Sequence, residues 1–501
     1  MNDARSGTRF VVAIDQGTTS SRAVVYDHAG NAIGSVQREI DQIYPQPGWV
    51  NQDAAHIWDV TLDVTRRVLA ETGVGAEQIS GIGITNQRET AVLWDRESGQ
   101  PVAPAIVWQS RQSAPLVDGI RDRGMEPAYQ RITGLIPDAY FSATKIAWLL
   151  EHDNVLLRRA EAGEIAFGTI DAWLIWKLTG GRLHSTDYAN ASRTMLYDIR
   201  SLEWSPELLA DLGIPAAILP TVHANSAVIG QTDPALFGAA IPIAGSGGDQ
   251  QCALFGQACF APGEAKNTYG TGSFLLMQTG REVVASRHRL LSTIAWGIDG
   301  VVEYALEGSI FVTGSAVQWL RDGLGIIKHA GEIESLAASV PDSGGVTFVP
   351  ALSGLGAPYW DPEARGTITG ITRGTTAAHI ARATLEGIAF QSRDVLDAMQ
   401  LDGAIELGAL RVDGGAAQND LLMQIQADVL GVAVERPQVI ETTVRGAAFL
   451  AGLATGVWSS RDDLRAGLVI ERRFEPAIGE RERDARYAAW QDAVRRTLSE
   501  R

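Results

Sequence analysis

The sequence predicts an α/β protein built from at least two domains. Three observations carry that prediction. Strand-length apolar runs alternate along the chain with segments of helical spacing. The 501 residues are well beyond the roughly 100 to 200 of a usual domain. A glycine-threonine turn running into an apolar strand occurs twice, at Gly17-Thr18 and again at Gly270-Thr271.

The chain opens with a β-meander that feeds a helix. FVVAID, RAVVYD and AIGSVQREI read as strands, separated by the turns DQGTTSS and HAGN. Asp53 then opens an amphipathic helix whose Ile57, Val60, Val64 and Val68 fall near helical spacing. ISGIGIT (79–85) and TAVLWD (90–95) follow as strands, and SATKIAWLLEH (142–152) as a helix. In DAWLIWKLTGG, Asp171 is the expected N-cap and Gly180 the expected stop. AGSGGDQQCALFG reads as a flexible glycine-rich segment entering an apolar helix.

From Asn267 the pattern restarts. NTYGTGSFLLMQTG, STIAWGI and VVEYALEG form a second meander before a helix around 309–325. This echo places a boundary near residue 256 and divides the chain into domains 1–256 and 257–501. LRVDGGAAQNDLLMQIQADVLG reads as a strand, a Gly-Gly turn and a helix beginning near Asn419. The charge-rich tail from about Arg472 spaces its apolar residues as a surface helix does.

Composition excludes several classes. Hydrophobic residues at 45% and charged residues at 20% are ordinary globular values, and the length of 501 residues rules out a small stapled scaffold. The 53 glycines exceed the average usage of about 7% and point to tight turns or close backbone approach to a ligand. A net charge of −17, without a visible basic patch, repels a nucleic-acid backbone. With Cys252 and Cys259 as the two cysteines there is no disulfide framework, which favours a reducing compartment. The N-terminus lacks the order of a signal peptide and no 18-residue apolar stretch occurs, so a cytoplasmic protein without membrane insertion is expected.

The motifs with familiar chemistry are missing: there is no GxxxxGK[ST], no GxGxxG, no HExxH and no close Cys/His cluster. Asp15 instead closes the first strand before Gln16, Gly17, Thr18, Thr19, Ser20, Ser21 and Arg22. Such a turn can hold a phosphate with its Mg2+, or can be an ordinary hairpin with a positive φ at Gly17. Asp249, at the start of its helix, reads equally as an N-cap and as a base accepting a proton from a hydroxyl. The Gly-Gly turn before Asn419 lets backbone approach a flat or phosphorylated ligand, and is also a plain connection. Arg88 and Glu89 can donate to and accept from adjacent hydroxyls of a polyol, although such a dipeptide is more often a surface ion pair. Trp108 and Tyr140 either wall a small ligand or fill the core.

Taken in order, DQGTTSSR, NQRET, FSATKIAWLLEH, GDQQCALFG, NTYGTGSF, GLGAPYWDPEARGTITGITRG and VDGGAAQND resemble the FGGY carbohydrate kinases, from about residue 8 to about 460. The resemblance implies two ribonuclease-H-like domains of the actin and sugar-kinase ATPase type, with the active site in the cleft between them. The NQRET pair with Trp108 and Tyr140 is similar to that of members acting on glycerol. The implied reaction is transfer of the γ-phosphoryl group of ATP to glycerol, giving sn-glycerol 3-phosphate, with ATP and Mg2+ as the nucleotide and ion.

By the same resemblance Asp249 is the catalytic base, and Asp15 and Asp249 lie near Mg2+. Arg88, Glu89, Trp108, Tyr140, Gln250 and Phe274 join Asp249 in the polyol pocket. Thr18, Thr19, Ser20, Arg22, Gly270 and Thr271 grip phosphates, while Gly314, Gln318, Gly415 and Asn419 surround the rest of the nucleotide. A homodimer or homotetramer is implied as well. The chain departs from the commonest pattern in GSGGDQ and at Ser273 of GTGSF. The segment 230–242, GQTDPALFGAAIP, lacks the Gly-Thr-Arg stretch with which some members bind fructose 1,6-bisphosphate. A non-catalytic sensor or a chaperone-like ATPase on the same fold would leave the Arg88, Glu89, Trp108 and Tyr140 set unexplained.

Overall fold

The structure, a computed structural model, describes residues 9–499. Thirteen strands join in one mixed sheet. The first half of the chain supplies β1 (Phe10–Gln16), β2 (Ser20–Tyr26), β3 (Ala32–Glu39), β4 (Ile79–Asn86), β5 (Ser226–Gln231) and β6 (Pro242–Gly248). The second supplies β7 (Ala265–Tyr269), β8 (Ser273–Gly280), β9 (Leu291–Ile298), β10 (Val301–Ile310), β11 (Ala409–Asp413), β12 (Ala433–Pro437) and β13 (Ile470–Phe474).

The strand order β13-β12-β11-β7-β8-β10-β9-β5-β6-β4-β1-β2-β3 contains one pattern twice. In the first half β1 pairs antiparallel with β2, whose other neighbour is β3, and parallel with β4, which pairs parallel with β6. In the second half β7 pairs antiparallel with β8, whose other neighbour is β10, and parallel with β11, which pairs parallel with β12. Each Gly-Thr turn therefore occupies the same place, between the first two strands of its half. The sheet crosses from one half to the other at the single pair Ser226 and Ile298.

Helix α1 (Ala54–Thr72) forms as its spacing dictates. Asp53 caps it by accepting from the backbone N–H groups of Ala55 and His56, and Gly73 ends it at φ +68°. Ile57, Val60, Val64 and Val68 are buried against the sheet. Helix α2 (Ser142–His152) matches its expected bounds. In α3 (Ile170–Leu178) the N-cap is Thr169 rather than Asp171, whose buried carboxylate accepts instead from the hydroxyls of Thr169 and Thr186. A short side chain one residue inside the helix finds hydroxyl partners there, so capping has no claim on it.

The remaining main helices are α4 (Asp249–Gly256), α5 (Gly314–Asp322), α6 (Ala377–Gly403), α7 (Asp420–Leu430), α8 (Thr442–Ala454) and α9 (Glu480–Thr497). Helix α5 is shorter than expected because β10 continues to Ile310. Arg472 lies in strand β13, and the terminal helix starts only at Glu480. The run PIAGSGG is not flexible: it is the buried strand β6. Its glycines make room. A Cβ on Gly245 would stand 2.5 Å from Ala451 N, and one on Gly248 would stand 2.6 Å from Arg88 Cδ.

Helix α8 belongs to the last quarter of the chain but packs on α4 and on β1, β4 and β6 of the first half. Backbone meets backbone there. A Cβ on Gly446 would stand 1.9 Å from Cys252 O, one on Gly83 2.0 Å from Ala447 O, and one on Gly256 2.0 Å from Thr442 O. Cys252 and Cys259 are free and buried. Among the described residues no helix is long and apolar enough to cross a membrane.

These contacts fix the sign of one substitution. In a solvent-facing helix, glycine to alanine stabilises by about 1 kcal/mol. At Gly446 the added methyl must push α8 from α4, and overpacking costs about 1–3 kcal/mol. Gly446→Ala is expected to lower the urea midpoint, and a raised midpoint would show that the two helices do not meet at backbone distance.

Candidate active site

Strand register aligns the functional segments of the first half. Asp15 is opposite Thr85 and Gln16 opposite Asn86. On the other side of β4, Gly247 is opposite Thr85 and Gly248 opposite Asn86. Asp15, the Arg88-Glu89 turn and Asp249 therefore leave the sheet together at the carboxyl ends of adjacent parallel strands, where α/β sheets bind ligands. Asp249 is the first residue of α4, with Gly248 as the N-cap, so the capping alternative does not hold.

Arg88 and Glu89 are not a surface pair. Their side chains are each 1% exposed. Arg88 donates from Nη1 to Glu307 Oε2 at 2.5 Å, from Nη2 to Glu307 Oε1 at 3.1 Å and from Nη1 to Gln251 Oε1 at 3.2 Å. Its Nε faces Asp249 Oδ1 at 3.1 Å. Arg193 donates from Nε to Glu89 Oε1 at 2.7 Å and from Nη2 to Glu307 Oε1 at 2.9 Å. Burial alone would raise the Glu307 pKa, but Arg193 and then Arg88 overcome it and hold the group at about 2. Glu89 goes the other way: burial raises it against the pull of Arg88 and Arg193. Glu89 also sits at φ +61°, a left-handed conformation that a non-glycine residue adopts at a cost of about 1–3 kcal/mol.

Three rings stand around this cluster, and none is fully buried. Trp108 meets Tyr140 edge-on at 5.5 Å and Phe274 at 6.5 Å, and the Arg88 guanidinium lies 5.9 Å from the Phe274 centroid. Trp108 and Tyr140 come from the first half and Phe274 from β8 of the second, so the wall needs both. Lys145 of α2 holds the Tyr140 loop, donating to the carbonyls of Ala139 at 2.8 Å, Phe141 at 3.0 Å and Tyr140. Burial lowers its pKa to about 7. Gln250 is buried and accepts from Lys266 Nζ, which also donates to Thr268 Oγ1 at 2.8 Å. Burial lowers the Lys266 pKa to about 8, with Asp413 and Asp249 opposing the fall.

In the first Gly-Thr turn, Gly17 N donates to Ser20 O at 2.9 Å. Thr18 Oγ1 accepts from Trp108 Nε1 at 2.9 Å, which ties this turn to the aromatic wall. Thr19 is exposed, and Ser20 Oγ accepts from Gln37 Nε2 at 2.9 Å. Arg22 pairs with Glu441 of the second half and donates to Gln37. The second turn is braced by α5: the N–H groups of Thr313 and Ser315 donate to Thr271 O, and that of Gly314 to Gly270 O at 3.0 Å. Gly314 must be glycine, since a Cβ would stand 2.6 Å from Gly270 O. Gln318 and Gly415 are exposed, nothing lies within 4 Å of a Cβ built on Gly415, and Asn419 caps α7 by accepting from Leu422 N at 2.8 Å.

Burial raises the Asp15 pKa to about 7, with Arg22 opposing and with Asp249 and Glu441 adding to the rise. Among the described residues no three His, Cys, Asp or Glu side chains form a closed metal cage. An ion held by one or two carboxylates and completed by phosphate oxygens and water is the regime of Mg2+.

Sequence reasoning missed Arg193, Glu307, Lys145, Lys266 and Asp413. The available signal was a charge inside an apolar run, as in VVEYALEG and SATKIAWLL, since lone charges are rarely buried without partners. The identity of those partners emerges only from the fold.

The family model described as "FGGY family of carbohydrate kinases, N-terminal domain" matches residues 10–256, and that of the family's C-terminal domain matches residues 265–455. The chain is 56% identical over 490 residues to a glycerol kinase of Caldanaerobacter subterraneus subsp. tengcongensis, covering 98% of this chain and 99% of that protein. It is 58% identical over 487 residues to a glycerol kinase of Symbiobacterium thermophilum, covering 97% and 98%. It resembles the crystal structure of Plasmodium falciparum glycerol kinase with ADP at a TM-score of 0.93 and 36% identity, covering 99% of each chain.

The buried charges set a pH dependence. With a folded pKa of about 2 against an ordinary 4.5, Glu307 adds stability that is complete above about pH 4.5 and is lost as pH falls toward 2. The shift corresponds to about 3 kcal/mol. Glu307→Gln is expected to lower the urea midpoint at pH 7 and to flatten the stability loss between pH 4.5 and pH 2. Parallel acid profiles for the two proteins would contradict the paired state of this carboxylate.

Proposed function

Because the chain belongs to the FGGY family of carbohydrate kinases, and its two halves share the ribonuclease-H-like fold of the actin and sugar-kinase ATPases, we infer that it is an ATP-dependent glycerol kinase. It transfers the γ-phosphoryl group of ATP to glycerol, giving sn-glycerol 3-phosphate and ADP. The observation that carries the substrate is the buried Arg88-Glu89 pair set beneath three partly exposed rings and beside Asp249. Proteins named glycerol kinase that are 56% identical over 98% of the chain support it.

Glycerol offers adjacent hydroxyls on a short C–H frame. Arg88 donates to one hydroxyl and Glu89 accepts from another, while Trp108, Tyr140 and Phe274 cover the C–H face. Gln250 completes the pocket. Asp249 accepts the proton of the attacking hydroxyl. Its Oδ1 is engaged by Arg88 Nε and by Gln250 N at 2.7 Å, which leaves Oδ2 for that proton. The transition state of phosphoryl transfer is loose, so alignment and neutralisation of charge outweigh base strength.

Thr18, Thr19, Ser20 and Arg22 of the first turn and Gly270 and Thr271 of the second grip the phosphates. Gly314 supports the second turn, and Gln318, Gly415 and Asn419 border the rest of the nucleotide. Asp15 and Asp249 would hold Mg2+, which when bound supplies positive charge beside the phosphate oxygens. In this reading residues 1–256 form the domain with the polyol pocket and the base, residues 257–501 form the nucleotide domain, and the enzyme is a cytoplasmic homodimer or homotetramer.

The test is ATP consumption with Mg2+, comparing glycerol, a panel of ketoses and a blank. Glycerol-dependent turnover is expected, and turnover with a ketose alone would overturn the substrate. Asp249→Asn is expected to lower kcat by about 10^2- to 10^4-fold, the usual worth of a general base, while ADP binding measured by calorimetry stays within about threefold. Wild-type turnover in that variant would remove Asp249 from its role.

A further inference from the structure

We propose that Arg193 and Glu307 are positioning residues that set the polyol pocket by fixing Arg88 and Glu89, an inference that rests on the polyol reading of that pair. Both side chains are 0% exposed, and their hydrogen bonds end on Arg88 and Glu89 or on each other. Each acts through a neighbour.

The four side chains close a ring. Glu307 takes Arg88 Nη1 on Oε2, and takes both Arg88 Nη2 and Arg193 Nη2 on Oε1. Arg193 turns its Nε to Glu89 Oε1, and Glu89 Oε1 returns to within 3.7 Å of Arg88 Nε. The protein's contacts with the Glu89 carboxylate thus end on Oε1, which leaves Oε2 as the oxygen for a hydroxyl. Arg88 is held flat by the two-point grip of Glu307, so its Nε stays beside Asp249. Without that grip Gln251 and Asp249 each hold one nitrogen, and the two-point constraint on the plane of the guanidinium is lost.

The geometry needs the fork of arginine at 193. One planar group makes two bonds, from different nitrogens, to two different carboxylates, and a lysine ammonium is a point charge that does not reproduce that fixed spacing. Arg193 also lies 5.3 Å from the Phe141 centroid and 5.9 Å from that of Tyr140, so its placement reaches the aromatic wall. Its Nη1 is buried without an acceptor, so the side chain is held by the two bonds it does make. Glu307 comes from β10 of the second half, whereas Arg88, Glu89 and Arg193 come from the first. The pocket is therefore assembled only when the halves are seated together.

The experiment is steady-state kinetics of wild type, Arg193→Lys and Glu307→Asp, each with glycerol varied at saturating ATP and then ATP varied at saturating glycerol. Calorimetric ADP binding and the thermal midpoint are measured alongside. A charge-assisted hydrogen bond is worth roughly tenfold to hundredfold, so the glycerol KM of Arg193→Lys should rise by about that factor. ADP affinity should stay within about threefold, with Glu307→Asp giving the same split. A glycerol KM within about twofold of wild type in either folded variant would overturn the proposal. Glycerol KM and ADP affinity worsening together would overturn it too, since that is the mark of general damage. If one variant fails to fold, the other decides by the same thresholds. Wild type without glycerol-dependent turnover would instead sink the functional reading beneath the proposal, and the two failures are told apart by that arm.

Discussion

Two arginines and two glutamates lie out of water between the halves of this chain, and much of the rest of the structure is arranged around keeping them paired. Removing an ion from water costs several kcal/mol, and only close, well-aligned partners return it. Glu307 is placed by strand pairing: it stands opposite Leu276 of β8 and Leu291 of β9. Phe274, two residues from Leu276 on the same strand, points to the same face. One strand register thus delivers both the carboxylate that grips Arg88 and the ring that covers it.

The second constraint is steric. The carboxyl ends of β1, β4 and β6 reach one line because β6 is thin, and it is thin because glycine stands at 245, 247 and 248. A side chain at 248 would occupy the path of Arg88, and one at 245 would lift α8 from the sheet. The helix that carries Gly446 crosses from the second half to close this layer. Sheet and helices on the first half therefore include residues separated by more than half of the chain, which makes the two halves interdependent even though their sheets join at one residue pair.

Acidic and basic side chains gather at the carboxyl ends of β1 and β6. Asp15, Asp249, Asp413 and Glu441 lie near Arg22, Lys266 and Arg88, and all three cations are already engaged, Arg22 with Glu441, Lys266 with Gln250, and Arg88 with Glu307 and Asp249. The pKa values of Asp15 and Asp413 are both raised first by burial, against the opposing pull of Arg22 on the one and Lys266 on the other. In the proposed reading a metal-bearing polyphosphate brings cation and anion together, which suits a site with turn amides and hydroxyls on one side and Asp15 on the other.

Local signals in the sequence are sufficient for α1, α2 and the first meander, because spacing, caps and turn residues act within a few positions; the second meander is not one, since β8 pairs with β10 and not with β9. The doubled Gly-Thr turn is enough to reveal the repeated topology, and ordered motifs locate Asp15, Arg88, Glu89, Trp108, Tyr140 and Asp249. Local signals misread the residues whose partners are distant. Asp171 has the local pattern of a cap, yet Thr186 holds it. The glycines of β6 have the composition of a flexible segment, yet α8 and Arg88 press on them. Arg88 and Glu89 have the pattern of a surface pair, yet both are buried. Arg193 gives no local sign of its role, and the sign Glu307 gives, a charge inside an apolar run, does not name its partners. The sequence by itself determined which elements form and where the chemistry-bearing turns fall, since those depend on short-range backbone preference. Only the tertiary structure decided which charges are buried together, because the energy of a buried ion depends on the partner that long-range folding brings beside it.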